Sequence, residues 1–142
     1  MNHVKIVIDS KMENEAFVRS AVTAFLMPLN PMMDEIIEIK TILAEAVVNS
    51  MIHGYQGRED GQIIVKVSYD ECHLVEFEVR DFGQGIANVE LARQPLYTTR
   101  ADLERSGMGM TIMESFSDKL EITSIVGEGT CCRISKQLRI HD

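Results

Sequence analysis

Thr41, Glu45, Asn49 and His53 recur every four residues in a stretch otherwise rich in Ile, Leu, Val, Met and Ala, so on a helix they form one polar stripe. Such a stripe is either the solvent face of a surface helix or the wall of a pocket. On a pocket wall, Glu45 could orient a hydroxyl or take its proton, and the Asn49 side-chain carbonyl is a hard oxygen suited to Mg²⁺. Asp81 closes a run in which Val75, Phe77 and Val79 alternate with polar residues, and parity turns its carboxylate with them toward the covered face. A carboxylate placed there needs donors. An adenine amino group is one such donor, whereas guanine presents an acceptor oxygen at that place and would be rejected. Phe82-Gly83-Gln84-Gly85 follows, and its glycines would let a ligand approach the backbone closely. A strand-end turn capped by Asp gives the same D-x-G-x-G spacing.

Ser106-Gly107-Met108-Gly109 stands directly before a helical pattern, where free backbone N–H groups and the helix dipole can cradle a phosphate, and Arg105 adds a cation. A tight loop-to-helix turn would use the same two glycines. Neither a G-x-x-x-x-G-K-[ST] loop nor a full G-x-G-x-x-G occurs, because Ile112 and Asn88 occupy the third-glycine positions. Thr130 follows Gly127-Glu128-Gly129 in phase with Cys132 and Ile134, so its hydroxyl can reach the pocket that holds Asp81.

These residues must be positioned by a chain of 142 residues, enough for one domain in which roughly two-thirds of the unfolded surface can be buried. Fourteen Lys+Arg against 22 Asp+Glu give a net charge of -8, which argues against nucleic acid or an anionic membrane as partner and favours a protein with basic patches. No run approaches the roughly 20 apolar residues of a membrane span, and the N-terminus lacks a signal-peptide pattern, so a cytoplasmic location is expected. Cys72 and the adjacent Cys131 and Cys132 form neither a disulfide framework nor a zinc motif. In a strand the last two point to opposite faces.

Periodicity predicts a strand over 4–8 and an amphipathic helix over 13–27 with Phe17, Val18, Ala21 and Phe25 on its apolar face. Asn30-Pro31 is a break, and a long helix follows over 33–53, closed by Gly54 at a C-terminal capping position. Alternation predicts a hairpin of strands 61–69 and 73–80. After an irregular stretch with a short helical piece near 89–93 come a helix over 107–116 and strands over 119–126 and 130–138. The expected fold is an α/β (α+β) two-layer sandwich, a mostly antiparallel mixed sheet covered on one face by about three helices.

E-x-x-x-N on a helix, D-x-G-x-G after a strand, G-x-G before a helix and G-x-G-T before the last strand resemble, in order and spacing, the four nucleotide boxes of the GHKL ATPase family, which includes gyrase, histidine kinases and MutL. Within it, the strings from Arg93 to Thr99 and from Glu104 to Glu114, and the helical run from Glu45 to Tyr55, are similar to those of the sporulation anti-sigma kinases. The resemblance implies a Bergerat-type ATP-binding fold and a dimeric serine kinase. Such a protein holds sporulation sigma factor F inactive and phosphorylates an anti-anti-sigma factor with ATP and Mg²⁺, leaving ADP. It also implies Glu45 as catalytic base, Asn49 as Mg²⁺ ligand, Asp81 as adenine anchor with Gly83 and Gly85 as its adjacent backbone, and Thr130 in support. Arg105, Ser106, Gly107, Met108 and Gly109 would handle phosphates, within and beside a lid over 94–106 that carries Thr98 and Thr99. Arg19 matches a partner-binding position, and the apolar N-terminal strand could pair across the dimer. A histidine kinase catalytic half, an ATP-responsive sequestering module without phosphotransfer and a general-stress anti-sigma kinase are the alternatives.

Overall fold

In a computed structural model of the chain, residues 1–93 and 109–141 are described. Strand β1 (Asn2–Asp9) leads into helix α1 (Glu13–Leu26), a 3₁₀ turn (Met27–Leu29), helix α2 (Met33–Asn49) and a π-turn (Ser50–Gly54). Strands β2 (Gln62–Tyr69) and β3 (Leu74–Asp81), short helix α3 (Val89–Ala92), helix α4 (Gly109–Phe116) and strands β4 (Lys119–Ile125) and β5 (Gly129–Gln137) complete it.

The sheet order is β1-β2-β3-β5-β4. Every pairing in it is antiparallel, which corrects the expectation of a mixed sheet. Hairpins join β2 to β3 and β4 to β5, whereas the longer connections from β1 to β2 and from β3 to β5 carry helices and still return the chain antiparallel to its neighbour. Alternation puts Ile63, Val65, Val67, Val75, Phe77, Val79 and Ile134 under the helices, all buried. The opposite face carries charge, with Lys66 and Arg133 both pairing with Glu78 across the strands. The β2–β3 turn is set by Asp70, whose Oδ1 accepts from the N–H groups of Cys72 and Leu74.

Helix α1 buries Val18, Val22 and Leu26, each worth about 1.5–3 kcal/mol. Phe17, expected on that face, is 58% exposed. Phe17 and Val18 are neighbours about 100° apart around the helix, so only one of them can face the sheet, and the Val18–Val22–Leu26 stripe takes that place. Phe25 lies at the margin, edge-on to Tyr69 with ring centroids 5.2 Å apart. Asn30 ends the 3₁₀ turn at φ 52, as the Asn-Pro break suggests.

Helix α2 starts at a fixed point. The Met32 N–H donates to Glu35 Oε1 at 2.9 Å, and the Arg139 N–H donates to Glu35 Oε2 at 2.8 Å. Burial of Glu35 works to raise its pKa, but the hydrogen bonds from Met32 and Arg139 and the nearby Arg139 charge prevail and lower it. At the far side Lys136 Nζ, buried, joins Glu38 Oε2 and the Phe116 carbonyl, each at 2.8 Å, tying β5 to α2 and to the end of α4.

Candidate functional site

Helix α2 does not close on Gly54 as a capping glycine. Its last turn widens into the π-turn, where the Tyr55 N–H reaches back to the Ser50 carbonyl at 3.0 Å. The extra residue per turn brings Ser50, His53 and Gly54 onto the wall of one cavity with Asn49. The lack of a side chain at Gly54 serves proximity: a Cβ there would lie 2.9 Å from the Asp81 carboxylate.

Asp81 ends β3 in register with Thr130 and is 4% exposed, on the helix-covered face where parity puts it. Burial raises its carboxyl pKa; donors oppose this, namely the Gly83 N–H at 3.0 Å, the Ser50 hydroxyl and the Thr130 backbone N–H. Three donors occupy most of the roughly four acceptor positions of a carboxylate, leaving about one for a ligand in the cavity. The strand end is anchored by Tyr55, whose hydroxyl accepts from the Phe82 N–H at 2.8 Å and donates to the Gln62 carbonyl at 2.5 Å.

The glycines after Asp81 have a task within the fold besides the one expected toward a ligand. A Cβ at Gly83 would stand 2.1 Å from the Gly54 carbonyl oxygen, and one at Gly85, with φ +79, would stand 2.4 Å from the Ile125 carbonyl oxygen. They let the chain pack on its own backbone, and only Gly85 lines the cavity. Bonds from the Gln84 N–H to the Gly54 carbonyl (2.9 Å) and from the Gly127 N–H to the Gln84 carbonyl (2.8 Å) fasten this loop to the π-turn and to the β4–β5 turn.

The cavity holds about 520 Å³, the size of a cofactor site. Its apolar walls include Ile86, Leu91, Met110, Met113 and Ile122. Thr130 and Cys132 line it from β5; burial pushes the Cys132 thiol up to about 12, so it packs as a neutral group. Cys131 is buried on the opposite face of its strand.

The polar stripe of α2 divides. Thr41 bonds back to the Ile37 carbonyl at 2.8 Å and does not line the cavity. Glu45 stands against the start of α4, where a Cβ on Gly109 would be 2.6 Å from its Oε2 and 3.4 Å from the Asn49 amide. Among the described residues Asn49 Nδ2 is buried without a hydrogen-bond partner, an amide whose polar end faces a cavity that a polar ligand would complete. From Glu45 to Gly54 these groups span about 13 Å of helix axis. Ser50 was not expected from the sequence; a lone Ser among apolar residues gives no signal until the Asp81 carboxylate is placed beside it. Arg19 pairs with Glu15 on its own helix at 2.6 Å. The lid over 94–106, Thr98, Thr99, Arg105, Ser106, Gly107 and Met108 lie outside the described residues.

A buried carboxylate at the end of β3 in an apolar cavity, and on α2 an amide unpaired among the described residues with a carboxylate one turn before it, all on a helix-covered antiparallel sheet, suit an ATPase domain of the histidine-kinase type. The family model described as histidine kinase-like ATPase domain matches residues 8–136. Among solved structures, the RsbU and RsbW domains of a Mycobacterium tuberculosis protein align with a TM-score of 0.67 at 19% identity, covering 100% of this chain and 34% of that one. A histidine kinase domain of Erythrobacter litoralis aligns at 0.59 and 14% identity, over 87% of this chain and 61% of that one. At those identities the likeness is one of fold. Among curated proteins, the anti-sigma F factor of Clostridium beijerinckii is 50% identical over 139 residues, 98% of this chain and 96% of that one. The anti-sigma F factor of Priestia megaterium is 47% identical over 137 residues, 96% and 93%. The chain belongs to the anti-sigma F factor family, within the histidine kinase-like ATPase domains. Its cavity is therefore a nucleotide site, and among the described residues no helix is long and apolar enough to cross a membrane.

Proposed function

We propose that this protein binds the sporulation sigma factor F, holds it inactive, and transfers the γ-phosphoryl group of Mg-ATP to a serine of an anti-anti-sigma factor. The observation that carries the reading is the Glu45–Asn49–Asp81 arrangement: the Asp81 carboxylate and the Asn49 amide, whose Nδ2 has no partner among the described residues, on one cavity, with Glu45 one turn before Asn49 against the start of α4, in a chain about half identical to anti-sigma F factors. Asp81, its other acceptor positions filled from within, offers the remaining one to the amino group of adenine, and Thr130 supports the base. The Asn49 amide fits a metal–phosphate group, since its carbonyl is a hard oxygen and its buried NH₂ lacks a partner among the described residues. Mg²⁺, when bound there, neutralises charge on the phosphates.

In the transfer, the bond between the γ-phosphorus and the ADP oxygen breaks and a bond to the serine oxygen forms. Glu45 takes the serine proton and later gives it to water. Because phosphoryl transfer passes through a loose transition state, Glu45 contributes about 10²-fold or somewhat more, less than positioning and charge neutralisation. Arg105, Ser106, Gly107, Met108 and Gly109 take the phosphates in this reading, with Thr98 and Thr99 in the lid. Arg19 belongs to the partner face, and the protein acts as a cytoplasmic homodimer. Among the described residues β1 is an edge strand, which supports that assembly by offering backbone groups for pairing.

The test is incubation with γ-labelled Mg-ATP and the anti-anti-sigma protein, scoring acid-stable label on the partner. Wild type should label serine, and Glu45→Gln should bind ATP and sigma factor but lose most of the label. Acid-labile label would point to a histidine kinase, and nucleotide binding without transfer to an ATP-responsive sequestering module.

A further inference from the structure

The Ser124 hydroxyl, on edge strand β4, stands behind the cavity rather than in its wall and carries three hydrogen-bond contacts. It accepts from the Ile86 N–H at 2.6 Å, donates to the Gly129 carbonyl at 3.1 Å and lies 2.8 Å from Thr130 Oγ1. A serine hydroxyl has one proton and two lone pairs. With the proton on the Gly129 carbonyl and one lone pair on Ile86, the last contact is satisfied only if Thr130 donates its own proton to Ser124. Thr130 then has no proton left for the cavity it lines, and its oxygen faces the ligand as an acceptor.

Thr130 is the register partner of both Asp81 and Ser124, so this acceptor sits next to the Asp81 carboxylate. Two adjacent acceptors suit a group with two N–H donors and repel a carbonyl oxygen. We propose that Ser124 is a specificity-determining positioning residue: by holding the Thr130 hydroxyl in its acceptor orientation, it makes the site select 6-amino purine nucleotides over 6-oxo ones. The inference rests on the nucleotide reading of the cavity and adds to it a residue that does not touch the base. Without Ser124 the Thr130 proton is free to turn into the cavity and donate to a 6-oxo group.

The experiment is direct binding of ATP and of inosine triphosphate to wild type, Ser124→Ala, Ser124→Thr and Thr130→Val. Wild type should prefer ATP. Ser124→Ala should lower the ATP-to-ITP affinity ratio by about five- to tenfold, the worth of one hydrogen bond changing sense. Ser124→Thr keeps the hydroxyl and should restore the ratio. In the Thr130→Val background, adding Ser124→Ala should change the ratio no further, because Ser124 acts through Thr130. A ratio left at the wild-type value in Ser124→Ala, with both affinities lowered equally, would reduce Ser124 to a structural bond and overturn the proposal. A wild-type protein that binds neither nucleotide overturns the nucleotide reading itself, and this inference with it.

Discussion

Gly109→Ala separates stability from chemistry at this site. The added methyl would lie 2.6 Å from Glu45 Oε2, so the carboxylate must retreat by about 0.8 Å to reach the 3.4 Å of ordinary contact. The clashing atom is the far end of a flexible side chain, and its retreat is cheap for folding. Replacing glycine in a helix gains up to about 1 kcal/mol, less at the first position of α4, so the melting temperature should stay within about 3 °C of wild type or rise slightly. The Asn49 amide, at 3.4 Å from the same methyl, already sits at ordinary contact distance and should keep its place. The cost falls on proton transfer, because misplacing a reacting group by about 1 Å can lose on the order of 10²-fold in rate. Single-turnover transfer from γ-labelled ATP to the anti-anti-sigma protein should thus slow by about 10²-fold in a fully folded enzyme whose nucleotide affinity is little changed. A Gly109→Ala protein that transfers phosphate at the wild-type rate would refute the placement of Glu45 in the reaction.

Two further outcomes follow from burial. Burial holds the Asp81 proton to higher pH in the folded chain than in the unfolded one, so the group's stabilising contribution is complete below the ordinary value of 3.8 and is lost as pH rises through the folded value. Since an amino donor favours the ionised carboxylate, ATP affinity should rise with pH across that window, and Asp81→Asn should bind weakly with that dependence gone; calorimetric titration at several pH values checks both. On α1, Val18→Ala should cost about 2 kcal/mol or more, whereas Phe17→Ser should stay within about 0.5 kcal/mol, and urea unfolding of the pair tests which face meets the sheet.

The sequence by itself determined the order of elements, because that information is local. Alternation in 63–67 and 75–79 and the Asp70 turn require a hairpin, and the 3.6-residue period requires helices. It also determined that Asp81 is buried, since strand parity leaves no choice once Val75, Phe77 and Val79 face inward. Choices between two compatible local patterns were decided by the tertiary structure. Phe17 and Val18 each complete an apolar helix face, and which one meets the sheet depends on how α1 lies across it. The stripe of α2 is polar on any model of the helix, but only docking of α4 distinguishes Glu45 and Asn49 from Thr41. The π-turn places Ser50 and Gly54 against Asp81, and no periodicity encodes it, because its benefit is a contact with a strand some thirty residues away. Gly83 and Gly85 read as room for a ligand, yet the space they leave is filled by the backbone of Gly54 and Ile125, which are distant in sequence and adjacent only in the fold. Close packing of distant segments is what the linear pattern cannot carry, and this site is assembled from such contacts.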